Sequence, residues 1–211
     1  MCYHSKMSKK AQEIKNRYLV RIEDEALYQP PGYLNGFTHP NTPVITNEDR
    51  GFLQQYTWGL LPFWAKDRKI QKNTLNARIE TINEKPSFRN STNNRCLVLA
   101  DGFYEWKWLD PKGKQKQKYE IGLSGDELFA FAGIWSEWLD KSSGELIKTY
   151  SIVTTEANEL MSEIHNTKKR MPIILSEENE QYWLDGGDFE DFRKVKIDLK
   201  AEGENMGTLF G

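Results

Sequence analysis

Cys2 follows Met1 directly. Removal of Met1 would leave a thiol beside a free α-amine, a 1,2-aminothiol that no internal cysteine can offer. An α-amine has a pKa of roughly 7.7–8, against about 10.4 for lysine, so far more of it is uncharged near neutral pH. An uncharged amine attacks an aldehyde to give a Schiff base. The adjacent thiol can then close onto the imine carbon as a thiazolidine ring. The competing reading is an ordinary residue in a frayed terminus. The other cysteine, Cys96, lies inside the apolar run Cys96-Leu97-Val98-Leu99-Ala100 and reads as a buried, reduced thiol.

Other polar residues could serve such chemistry. Glu105 is flanked by Tyr104, Trp106 and Trp108, and a desolvated carboxylate has its pKa raised toward neutrality, where it can transfer protons. Strand alternation equally permits a solvent-facing Glu105 between buried aromatics. His165 carries the side chain that exchanges protons most readily near pH 7, and Lys168, Lys169 and Arg170 beside it disfavour its charged form. Its plain alternative is a partner for a helix C-terminus. In Asn76-Ala77-Arg78-Ile79-Glu80, residues two apart on a strand share a face. Asn76 can then donate and accept while Arg78 grips a phosphate, unless Arg78 and Glu80 form a surface pair. Trp58, Phe63 and Trp64, followed by Lys66, Arg68, Lys69 and Lys72, offer rings on which single-stranded bases stack. Tryptophans are also common core residues.

These residues need a scaffold. With 211 residues and seven Trp, the chain is long enough for one globular core. A net charge of −2 gives no global basic signature, so nucleic-acid contact must come from a local patch. No apolar run reaches membrane-spanning length and no signal peptide is visible, which points to an intracellular, cytoplasmic protein. A helix is expected from Ser8 through Ile22, and a Pro- and Gly-rich ordered loop from Tyr28 to Pro43. Strands are expected at Tyr56–Leu61, Arg95–Trp108, Lys118–Ile121, Leu128–Ile134 and Ile147–Thr154. Thr155 would cap a helix through Ile164, and Ser176 one ending near Leu184. The pattern predicts an α+β fold: one domain with a strongly curved, mostly antiparallel, barrel-like sheet flanked by helices. Its core covers about 2–185, with a C-terminal tail from Lys194 to Gly211.

Five separated segments, taken together, resemble one family. Cys2, Trp58-Gly59-Leu60 with Pro62 and Trp64, Asn76-Ala77-Arg78-Ile79-Glu80-Thr81, Ala100-Asp101-Gly102-Phe103-Tyr104-Glu105-Trp106-Lys107, and His165 followed by Arg170-Met171-Pro172-Ile173-Ile174-Leu175 are similar to the SOS response-associated peptidase (SRAP) domain. The resemblance implies covalent capture of abasic sites in single-stranded DNA, with Cys2 as nucleophile after Met1 is removed. It implies that Asn76 orients the Cys2 end and the sugar, that Glu105 and His165 move protons, and that Arg78 anchors a phosphate. Trp64, His4 and the basic residues Lys168, Lys169 and Arg170 are the further DNA-contact candidates. No cofactor or metal is called for, and a monomer is expected.

The chain also departs from that family. Its terminus reads Cys2-Tyr3-His4 where the family usually has Cys-Gly-Arg, and extra residues separate His165 from Arg170. The C-terminal tail lacks the polar, Asn-rich character of many members. An autoprocessing cysteine peptidase and a non-covalent single-strand binding module are the alternative functions. A histidine third from a free amine could also close a square-planar Cu(II) or Ni(II) chelate.

Overall fold

The computed structural model describes residues 2–194 and 197–204, in two sheets with three α-helices. The strands are β1 (His4–Met7), β2 (Gly32–Asn35), β3 (Asn41–Thr46), β4 (Gln54–Trp58), β5 (Asn76–Arg78), β6 (Arg95–Ala100) and β7 (Gly102–Trp108). They continue with β8 (Lys116–Gly122), β9 (Phe129–Leu139), β10 (Leu146–Glu156), β11 (Arg170–Pro172), β12 (Ile174–Leu175) and β13 (Lys200–Gly203). The helices are α1 (Ala11–Tyr18), α2 (Glu159–Ile164) and α3 (Glu177–Leu184).

The larger sheet runs β11-β10-β4-β3-β6-β9-β12, and β9 also pairs with β10. That extra pairing closes β10, β4, β3, β6 and β9 into a barrel, which removes the exposed edges an open sheet would leave. All neighbours in this ring are antiparallel except β4 and β10, which pair in parallel with Thr57 opposite Thr149. Every residue of β6 is buried, as expected of a strand covered on both faces. The short β5 lies parallel to β10, placing Asn76 opposite Ile152.

The smaller sheet, β13-β8-β7-β1-β2, is antiparallel throughout. Its pleat decides which side chains enter the protein. Phe103 and Ile121 are fully buried and face each other across β7 and β8. Glu105, two residues beyond Phe103, follows it inward.

Several local expectations change. The run Arg95–Trp108 is two strands in two sheets, broken at Asp101, whose buried carboxylate accepts hydrogen bonds from the Ser8 amide (3.0 Å) and hydroxyl. That contact occupies Ser8, so α1 starts after Lys10, whose amide donates to Glu13 (2.9 Å). The helix stops at Tyr18 because Leu19 turns left-handed (φ 55°), well short of Ile22. The segment 28–43 is not merely a loop: it holds β2, a 3-10 turn and the start of β3. Thr155 belongs to β10, and Asn158 caps α2 by accepting from the Met161 amide at 2.9 Å. Ser176 does precede α3, whose Trp183 donates to the carbonyls of Cys96 (3.1 Å) and Gly133 (3.2 Å) and so docks the helix on the barrel. Among the described residues no helix is long and apolar enough to cross a membrane.

Candidate active site

Cys2 leads into β1, which is held between β2 and β7, so both its neighbours fix the start of the chain. The residue is fully buried. Asn76, presented by β5, donates from Nδ2 to the Cys2 carbonyl at 2.8 Å. Asn76 Oδ1 is buried and has no hydrogen-bond partner among the described residues, leaving an acceptor beside Cys2. The Cys2 thiol contacts the His4 carbonyl at 3.5 Å. Burial, reinforced by the Glu105 carboxylate, pushes this thiol well above the ordinary cysteine range. It therefore rests as a neutral thiol and not as a thiolate.

Glu105 from β7 and His165 from the end of α2 meet with Oε2 and Nε2 at 4.0 Å. Both side chains are nearly excluded from solvent, 8% and 10% exposed. Burial raises Glu105 to about 7. Burial, together with the positive charges of Lys168 and Arg170, lowers His165 to about 4. The pair thus presents a carboxyl group that titrates at neutral pH beside an uncharged imidazole, the two states that proton transfer requires.

The loop after His165 is tied down by a residue that sequence reasoning alone misses. Asn166 accepts from the Trp108 amide (3.1 Å) through Oδ1 and donates to the Trp108 carbonyl (2.9 Å) through Nδ2. Its amide supplies β7 with a partner beyond the end of β1, and this brings His165 to Glu105. The only signal in the sequence is an Asn beside the candidate histidine, and its partner lies 58 residues away.

The basic residues divide. Arg78, Lys168 and Lys169 are exposed. Arg170, expected among the DNA contacts, is instead buried: its guanidinium makes two bonds to Glu80, at 2.6 and 2.9 Å, and one to the Thr154 carbonyl at 2.8 Å. Glu80 consequently pairs with Arg170, not with Arg78 on a shared strand face, because β5 ends at Arg78 and a 3-10 turn carries Ile79–Thr81. The aromatics divide as well. Trp58 is core and donates to the Leu75 carbonyl at 2.9 Å, whereas Phe63 (67% exposed) and Trp64 (43% exposed) lie on the surface. Gly59, which follows Trp58, adopts φ 114°, where a Cβ would fall 2.8 Å from the His39 ring.

His4 is half-buried, with Nδ1 2.6 Å from the Tyr33 hydroxyl and its ring edge-on to Trp106 at 4.8 Å. This overturns the chelate expectation. His4 is strand-paired on both sides and its Nδ1 is engaged, so the first residues cannot wrap one ion without unzipping β1. Expectations about Met1 and the end of the C-terminal tail lie outside the described residues.

A closed barrel and a second sheet thus hold a near-terminal cysteine beside a buried carboxyl–imidazole pair. That class has a family description: the chain belongs to the SOS response associated peptidase (SRAP) family, whose model matches residues 1–206. It is 47% identical over 142 residues to the "Abasic site processing protein YoqW" of Bacillus subtilis, covering 67% of this chain and 61% of that protein. It is 30% identical over 209 residues to the "Abasic site processing protein HMCES" of Xenopus tropicalis, covering 84% of this chain and 60% of that one. The chain therefore spans about three fifths of the length of the curated relatives it matches. A crystal structure of a Bacteroides thetaiotaomicron protein superposes with a TM-score of 0.87 at 36% identity, over 97% of this chain and 93% of that chain.

Proposed function

We propose that this chain, once Met1 is removed, captures abasic sites in single-stranded DNA as a covalent thiazolidine on Cys2. The observation that carries the reading is the Asn76 amide fixing the Cys2 carbonyl beside the buried Glu105–His165 pair. The names of the relatives support an abasic site as the substrate.

An abasic deoxyribose equilibrates between a closed ring and an open aldehyde. Glu105 in its acid form donates a proton to the ring oxygen as the C1′–O4′ bond breaks, and the C1′ hydroxyl gives its own proton to the Glu105 carboxylate, leaving the aldehyde. The Cys2 amine then adds to C1′, with neutral His165 accepting the proton that the nitrogen loses. Protonated His165 returns that proton to the oxygen to give the carbinolamine, and Glu105 protonates the hydroxyl as water leaves, regaining its proton from the nitrogen of the resulting imine. The Cys2 thiol adds its sulfur to the imine carbon, and its proton ends on the ring nitrogen. Amine, thiol and aldehyde thus give thiazolidine and one water. A buried neutral thiol suits this order, because the amine acts first and the sulfur is needed only for closure. Without an imine, the product resists the β-elimination that would cut the strand. Arg78, Lys168 and Lys169 supply phosphate contacts, and Trp64 supplies a ring for an adjacent base.

The test is incubation with an oligonucleotide bearing one abasic site, followed by denaturing electrophoresis. The parent protein is expected to give a stable shifted band. Cys2→Ala retains an amine, so it is expected to give a band only after borohydride reduction of the imine. A stable unreduced crosslink from Cys2→Ala would refute the thiazolidine. The family description names a peptidase, and we propose that the same residues release Met1. The intact mass of Glu105→Ala or His165→Ala protein tests this: retained Met1 supports self-processing, and normal maturation removes it.

A further inference from the structure

His165 meets the backbone of Arg170 at two atoms, one from each of the peptide groups that flank its Cα. Its Nδ1 lies 2.9 Å from the Arg170 carbonyl oxygen and 3.1 Å from the Arg170 amide nitrogen. These contacts make opposite demands. The carbonyl needs a proton on Nδ1, whereas the amide needs a lone pair there. The first arrangement leaves Nε2, the atom facing Glu105, without a proton; the second puts the proton on Nε2. Whether His165 can accept a proton on the reacting side thus depends on how the Arg170 backbone is seated against the ring.

That backbone is seated by a side chain pointing the other way. Arg170 sends its guanidinium to Glu80 through two parallel bonds (2.6 and 2.9 Å), and to the carbonyl (2.8 Å) and hydroxyl (3.2 Å) of Thr154 on β10. A planar fork held at two oxygens loses its rotational freedom, which a lysine could not match. The turn before it adds tension: Lys169 stands at φ 48°, in the left-handed region, with its amide on the His165 carbonyl at 2.9 Å. Without an anchor at residue 170, that turn would be free to relax and carry the backbone off the ring.

We propose that Glu80 and Arg170 are positioning residues: their ion pair locks the backbone at Arg170 so that its carbonyl accepts from Nδ1–H, which holds Nε2 of His165 ready to take a proton. The residues between His165 and Arg170 form the turn that brings the backbone back to the ring. The proposal rests on the capture reading for its consequence in the reaction, but the tautomer it assigns belongs to the free protein.

The experiment therefore has two readouts on the full chain. Nitrogen-15 NMR of histidine-labelled protein, with His165 assigned by its substitution, reports the tautomer. The parent is expected to carry the proton on Nδ1, and Glu80→Gln and Arg170→Lys are expected to show mixed tautomers. Single-turnover capture of an abasic oligonucleotide at saturating DNA is expected to slow about tenfold to a hundredfold in Glu80→Gln. Its affinity for an intact strand should stay within about twofold of the parent. A parent with the proton on Nε2 overturns the proposal, even if a variant fails to fold. So does a folded Glu80→Gln whose His165 keeps the parental tautomer. If the parent forms no crosslink at all, the capture reading falls, and the tautomer measurement still judges the ion pair.

Discussion

Replacing Glu105 with glutamine is expected to stabilise the protein in alkaline buffer while slowing its chemistry. A carboxyl group moved from 4.5 to about 7 by burial binds its proton more tightly in the folded state than in the unfolded one. Stability is then full below the unfolded value and falls as pH rises through the folded value. At about 1.4 kcal/mol per pH unit, the loss attributable to Glu105 is about 3 kcal/mol, most of it between pH 5 and pH 8. Glutamine resembles the protonated acid in shape and cannot ionise, so the variant escapes this loss. Glu180, raised to about 7 by burial against the opposing charge of Arg17, titrates in the same window. The parent's own curve therefore carries both groups, and the difference between parent and variant isolates Glu105. The assay is urea unfolding at several pH values with a fixed denaturant slope. The expected result is a small difference at pH 5 that grows in favour of Glu105→Gln toward pH 8, alongside slower crosslinking at every pH. A difference that stays flat with pH, or a variant less stable than its parent at pH 8, would refute a carboxyl group whose charge is disfavoured by burial.

Other consequences are accessible to direct measurement. Asp101→Ala leaves the Ser8 amide and hydroxyl without their acceptor and loosens the strand that presents Cys2; it should cost about 1–3 kcal/mol in denaturant unfolding, and an unchanged midpoint would contradict the pinning role. Trp64→Ala should weaken binding to intact single strands by about 1–3 kcal/mol if a base stacks there, read by fluorescence anisotropy. Arg78→Ala should lower affinity across all sequences and reduce the slope of log affinity against log salt by about 1; an unchanged slope places no phosphate at Arg78.

Much of the candidate site is legible in residue types alone. An aminothiol requires only that cysteine come second, so Cys2 stands out by its position in the chain. A carboxylate set among aromatics suggests Glu105, but strand alternation leaves its direction open, and only the pairing of Phe103 with Ile121 across the smaller sheet turns it inward. The turns, the long strands and the curved, mostly antiparallel architecture are readable because they follow from local patterns of apolar and turn-forming residues. Periodicity says which residues share a face; it does not say which sheet a strand joins, and so the run 95–108 reads as one strand although Asp101 divides it between two. It is equally silent on partners far apart in the chain. Arg170 looks like a phosphate contact because it follows two lysines, yet its carboxylate lies 90 residues away on another element. Charge type is a property of the sequence, whereas the neutralising partner of a charge is decided by which segments the fold brings together.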